Sequence, residues 1–197
     1  MGTPAPTPGP AIGVEYFAGK ATIRNTGHDI EVTPAKDNNK NKITIRGKGV
    51  YTLVKFHFHV PNEHRVPRIA NAVAEMHIVH QLEGGTDLAV IGVMLIKGTT
   101  TYPAVMPVFE NLPKNVCDKV ENVEIKFPTL LPKEKFSYYT YLGSLTTPPC
   151  TENVTWYILG APQTILESDL NKLSAPGVNA RPIQANWLPV TYVRPTE

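Results

Sequence analysis

Two runs decide the fold: Tyr51-Thr-Leu-Val-Lys-Phe-His-Phe-His-Val60 and Ala72-Val-Ala-Glu-Met-His-Ile-Val-His-Gln-Leu82. Both are rich in aromatic and β-branched residues, which fit a pleated, half-buried surface and mark strands. Residues two apart on a strand face the same side and lie about 6.6 Å apart along the chain. His57 and His59 therefore share a face, and on the next strand His77 shares one with Glu75 and Val79. Three imidazoles from two adjacent strands leave one vertex of a tetrahedral Zn2+ open, the arrangement of a catalytic site rather than a closed structural one. A His-x-His pair on a half-polar strand is often only a satisfied surface pair. Glu75 favours the metal, because ligating histidines usually donate their second N–H to a carboxylate or carbonyl.

Outward from these runs the same texture recurs. Strand-like stretches fall at residues 21–24, 29–32, 43–46, 88–96, 138–142 and 154–159, punctuated by turn residues such as Asn25-Thr-Gly27, Asp37-Asn-Asn39 and Glu83-Gly-Gly85. Helical pattern is scarce: residues 103–110, 115–120 and 168–173, the last with Ser168 as a cap. The expected fold class is mainly β (α+β), a large twisted, mostly antiparallel central sheet with a few short peripheral helices. Residues 1–12 read as a Pro-rich flexible leader and residues 13–197 as a single domain.

The 197 residues carry 42% hydrophobic side chains and a formal net charge of +2, so the chain has material for one sizeable core and too little charge for disorder. No block of Lys or Arg supplies the concentrated positive face that nucleic acid or an anionic membrane requires, and no apolar run reaches the roughly 18 residues of a membrane span. The reading expects neither partner. The two cysteines, Cys117 and Cys150, allow one disulfide or two free thiols.

Four segments resemble alpha-class carbonic anhydrases: Phe56-His-Phe-His59, Asn62-Glu-His64, Glu75-Met-His-Ile-Val-His80 and Gly143-Ser-Leu-Thr-Thr-Pro-Pro-Cys-Thr-Glu-Asn-Val-Thr-Trp156. Asn25-Thr-Gly-His28 and Asn179-Ala-Arg-Pro-Ile-Gln184 extend the likeness, which spans nearly all of residues 14–193. The resemblance implies a ten-stranded twisted sheet, a conical cavity leading to zinc, and reversible hydration of carbon dioxide to bicarbonate and a proton through a zinc-bound hydroxide. It assigns His57, His59 and His77 as zinc ligands, Glu75 as acceptor for His77 and Asn179 as acceptor for His59. Thr146 would accept from the hydroxide and donate to Glu63. Val79, Val90, Leu145, Val154 and Trp156 would form the apolar wall of the substrate pocket; read without the resemblance, those five are ordinary core residues. His28 would be the proton shuttle, with Asn25 and Thr147 holding the intervening waters, while His64 and His80 would be structural.

The chain departs from the family pattern in three places. Lys55 stands where the family usually places a glutamine that accepts from the first zinc histidine; lysine has three donors and no acceptor. The expectation is that Lys55 swings to solvent and a water or carbonyl serves His57. The usual N-terminal segment of the bacterial-type enzymes has no counterpart, which predicts a more open flank and a homodimer covering it. Cys150 matches a cysteine that pairs, in exported members, with one in that segment, so two free thiols, or an intermolecular bond, and a periplasmic or extracellular location are expected. Against the zinc lyase stand two alternatives: a non-catalytic binding module with the same fold, and a zinc-hydroxide esterase of small esters.

Overall fold

The computed structural model describes residues 12–36, 39–131, 136–174, 177–185 and 189–194. The strands are β1 (Ile12–Glu15), β2 (Gly19–Asn25), β3 (Ile30–Pro34), β4 (Lys42–Ile45), β5 (Gly49–His59), β6 (Ala72–Leu82), β7 (Leu88–Lys97), β8 (Lys119–Ile125), β9 (Tyr138–Ser144), β10 (Glu152–Leu159), β11 (Gln163–Ile165) and β12 (Thr191–Val193). They form one sheet in the order β12-β9-β10-β7-β6-β5-β3-β2-β8, with β4 bridging β1 to β5 and β11 beside β7. Pairing is antiparallel except where β10 and β11 run parallel to β7. The sheet is thus mixed and larger than the ten strands the resemblance implied.

The central strands are buried on both faces, which is why they read as nearly unbroken apolar runs. On one face Phe56 and Phe58 of β5, Met76 and Ile78 of β6, Ile91 and Val93 of β7 and Tyr157 of β10 build the main core. Each such fully buried side chain contributes roughly 1.5–3 kcal/mol. Helix α1 (Met106–Glu110), entered through a 3-10 turn at Pro103–Val105, adds Val108 and Phe109 to it, with the Phe109 ring 6.1 Å from that of Phe58. Helix α2 (Glu167–Ser174) adds Leu170 and Leu173. The opposite face carries the site.

One irregularity sets which side chains of β5 look into the site. The β5/β6 register shifts between Leu53 and Lys55. This bulge inverts the alternation, so Leu53 packs in the core with Phe56 and Phe58, while Lys55, His57 and His59 occupy the other face.

Several expectations need correction. Ile12 opens β1, so the leader expected over residues 1–12 lies outside the described residues except for its last position. Residues 115–120 are not helical: Cys117 has φ 69°, a left-handed conformation that a right-handed helix cannot contain. Its N–H donates to Asn25 O at 2.8 Å, and the chain passes straight into β8, which pairs with β2. Ser168 lies inside α2 rather than capping it. Cys117 and Cys150 are both free thiols, the first exposed and the second half-buried.

Candidate metal centre

His57 and His59 of β5 and His77 of β6 are buried with ring centroids 4.9, 5.3 and 4.5 Å apart, and one nitrogen from each lies within 4.8 Å of the others. The strands bring them together directly, since His57 is the Cα partner of His77 across β5/β6. Burial, then the neighbouring imidazoles, pushes His57 well below its ordinary pKa and His59 down to about 3. Both rings are therefore neutral at pH 7 and offer the lone pair a metal needs. His57 Nδ1 and His59 Nε2 are buried polar atoms without a hydrogen-bond partner, so this donor set fits a metal ion.

Glu75 is the hub beneath them. Its Oε2 accepts from the backbone N–H groups of Glu63 at 3.0 Å and His64 at 2.9 Å. Its Oε1 lies 2.5 Å from His64 Nδ1 and 3.0 Å from His77 Nε2. Burial alone would raise this carboxyl, yet the His64 and His77 charges and hydrogen bonds hold it well below the ordinary range. His64, despite burial, is raised by Glu75, and its Nε2 meets Tyr141 Oη at 2.6 Å. The carboxylate fits because Gly92 stands opposite His77 on β7; a Cβ there would lie 2.9 Å from Glu75 Oε1.

Asn179 ties the other side. Its carbonyl lies 3.3 Å from His59 Nδ1, its Oδ1 accepts from Val60 N–H, and its Nδ2 donates to the carbonyls of Phe58 and His28. His28 is exposed on the β2–β3 turn, where Asn25 Oδ1 accepts from Gly27 N–H. Glu63 Oε1 lies 3.4 Å from His59 Nδ1 and accepts from Arg181 N–H at 2.7 Å. The hydrogen bond expected from Thr146 to Glu63 is not made: Arg181 takes Oε1, and Oε2, 3.8 Å from His77 Nδ1, is buried without a partner. Thr146 and Thr147 sit half-buried on a loop closed by Leu145 N–H to Thr151 O and Cys150 N–H to Thr147 O. The Arg181 guanidinium reaches Ser144 Oγ and Leu145 O on that loop, at 3.2 and 3.5 Å.

Val79, Val90, Val154 and Trp156 belong to one buried apolar cluster, with Leu145 packed against it. The Trp156 ring lies 4.7 Å from that of His77, so this cluster abuts the imidazoles. Lys55 does not behave as expected. It pairs with Glu31 Oε2 at 2.5 Å with its side chain 33% exposed, and among the described residues no carbonyl serves His57. The cause is a carboxylate across β3/β5 that the sequence did not reveal. Tyr141, Gly92, Arg181 and Glu31 are the residues that sequence reading missed; only Arg181 carried a signal, inside Asn179-Ala-Arg-Pro-Ile-Gln184.

A large mixed sheet presenting three buried imidazoles beside an apolar wall defines a β-sheet protein with a site that could hold a metal ion. The eukaryotic-type carbonic anhydrase model matches residues 10–191. A carbonic anhydrase of Neisseria gonorrhoeae is 34% identical over 177 residues, 89% of this chain and 68% of its own length. The Photobacterium profundum alpha-carbonic anhydrase structure superposes with a TM-score of 0.83 at 31% identity, covering 95% of this chain and 84% of the other. A hyperthermostable carbonic anhydrase from a hydrothermal vent chimney does so with a TM-score of 0.85 at 32% identity, covering 96% and 83%. The chain belongs to the alpha-carbonic anhydrase family, and the curated relatives it matches are named carbonic anhydrases, consistent with carbonate dehydratase activity.

Proposed function

We propose that the protein catalyses the reversible hydration of carbon dioxide to bicarbonate and a proton, with Zn2+ held by His57, His59 and His77. The observation that carries the reading is the convergence of three buried imidazoles, two of them kept neutral by burial, on one point. Zinc, when bound, supplies a Lewis acid that brings the pKa of a coordinated water from 15.7 to about 7. Glu75 and the Asn179 carbonyl fix the orientation of His77 and His59.

Thr146 is the group proposed to hydrogen-bond the attacking oxygen, and its N–H would stabilise charge developing on the substrate. The Oε2 of Glu63 is buried without a partner, an acceptor that would suit the Thr146 hydroxyl, and the Arg181 N–H holds the other oxygen of that carboxylate. Carbon dioxide is apolar and needs no donor while it waits, which suits a wall of Val79, Val90, Leu145, Val154 and Trp156. His28 would carry the proton to buffer along water held by Asn25 and Thr147, since its imidazole is exposed to solvent on the β2–β3 turn.

Stopped-flow initial rates of carbon dioxide hydration by zinc-loaded protein test the reading. Fast, chelator-sensitive hydration rising through a pKa of about 7 is expected; a buffer-level rate with zinc verified in the protein refutes it in favour of a non-catalytic binding module. A periplasmic or extracellular location and a homodimer are further proposals from the sequence, the second tested by light scattering at micromolar concentration.

A further inference from the structure

The three histidines are not anchored alike. His59 has the Asn179 carbonyl and His77 has Glu75, but neither ring nitrogen of His57 has a hydrogen-bond partner among the described residues. The side chain that shares its face two residues earlier is Lys55, which has only donors. Lys55 cannot anchor His57; its ammonium can only act on the centre as a charge.

That charge has a dedicated partner. Glu31 is the Cα partner of His57 across β3/β5, which places Lys55 on the diagonal from Glu31 and within reach of a long side chain. Glu31 Oε2 holds Lys55 Nζ at 2.5 Å, with the two side chains 33% and 23% exposed, and Thr33 Oγ1 donates to Glu31 Oε1 at 3.3 Å. Resting on the reading of the imidazoles as zinc ligands, we propose that Glu31 is a positioning residue that holds and neutralises the Lys55 ammonium beside the metal centre. Without Glu31, a cation free to turn would share a partly buried face with a dication and repel it.

Zinc affinity measured by chelator competition on the purified full chain tests this, with urea unfolding of each metal-free variant to establish that it folds. Glu31→Gln is expected to weaken zinc binding about 10-fold, within the range typical of groups that orient metal ligands. Lys55→Gln, which removes the charge and supplies an acceptor for His57, is expected to tighten it by about 10–100-fold. Lys55→Met, which only removes the charge, should fall between wild type and Lys55→Gln, and Lys55→Arg should match wild type. The Glu31→Gln loss should vanish in the Lys55→Gln background, a dependence that a general structural role for Glu31 would not produce. Zinc bound with equal affinity by wild type, Glu31→Gln and Lys55→Gln overturns this proposal alone, as does a Glu31→Gln loss that persists in the Lys55→Gln background. A folded wild-type protein that takes up no zinc overturns the zinc reading and this proposal with it.

Discussion

Gly92→Ala is the sharpest probe of how the site is packed. A Cβ at position 92 would lie 2.7 Å from Ile158 Cδ1 and 2.9 Å from Glu75 Oε1. The isoleucine contact is the end of a flexible side chain and can turn aside. The carboxylate cannot, because it is held by Glu63 N–H, His64 N–H, His64 Nδ1 and His77 Nε2. Losing one charge-assisted hydrogen bond there costs about 1.5–3 kcal/mol. Overpacking adds about 1–3 kcal/mol, and the stiffer unfolded chain returns about 0.4–1 kcal/mol. The expected net loss is about 1.5–5.5 kcal/mol in urea unfolding of the metal-free protein, with zinc affinity down about 10–100-fold as His77 loses its orienting partner. Gly92→Ala combined with Ile158→Val relieves only the isoleucine contact, so it should recover little. A Gly92→Ala protein within about 0.5 kcal/mol of wild type, with unchanged zinc affinity, would refute the reasoning.

Asn179→Ala removes three side-chain hydrogen bonds, to Val60 N–H and to the carbonyls of His28 and Phe58. It should cost about 1–3 kcal/mol in urea unfolding and lower hydration most at low buffer concentration, where proton export limits the rate. Arg181→Ala releases the 144–146 loop while leaving the backbone N–H on Glu63; hydration kcat should fall at least tenfold with zinc affinity within about twofold of wild type. Stability of the metal-free protein should decline with acid. His59 and His80 titrate at about 3 and about 4 in the folded chain, and His57 is also lowered, so below about pH 6.5 the unfolded chain binds protons the folded one refuses. The unfolding free energy should drop by up to about 1.4 kcal/mol per pH unit for each such histidine between pH 6.5 and 4. His64, raised by Glu75, has the opposite sign and loses its contribution above pH 6.5. Urea midpoints at pH 7, 6 and 5 measure this, and a flat profile contradicts it.

The metal centre was legible because its members obey the shortest rule in the sequence. The period of two places His57 with His59 and Glu75 with His77, and neither statement depends on how distant strands pair. The valines and Trp156 were legible as strand residues, but their assembly into one cluster beside His77 required β10 to lie parallel to β7, a crossover that no local pattern encodes. Strands β8, β11 and β12 were missed for the same reason: they are short or weakly alternating, and their backbone groups find partners only once β2, β7 and β9 are in place.

By itself, then, the sequence determined the sheet-rich fold and the identity of the three imidazoles, since composition and alternation act over a few residues. Tertiary structure decided what surrounds them. Gly92 matters only because it faces His77, and Lys55 turns to Glu31 only because β3, rather than β4, lies against the end of β5. Arg181 joins Glu63 to the Thr146 loop across 118 residues of chain. Hydrogen bonds and charge pairs depend on distances of a few ångströms between groups remote in sequence, and such distances exist only after the sheet has set its register.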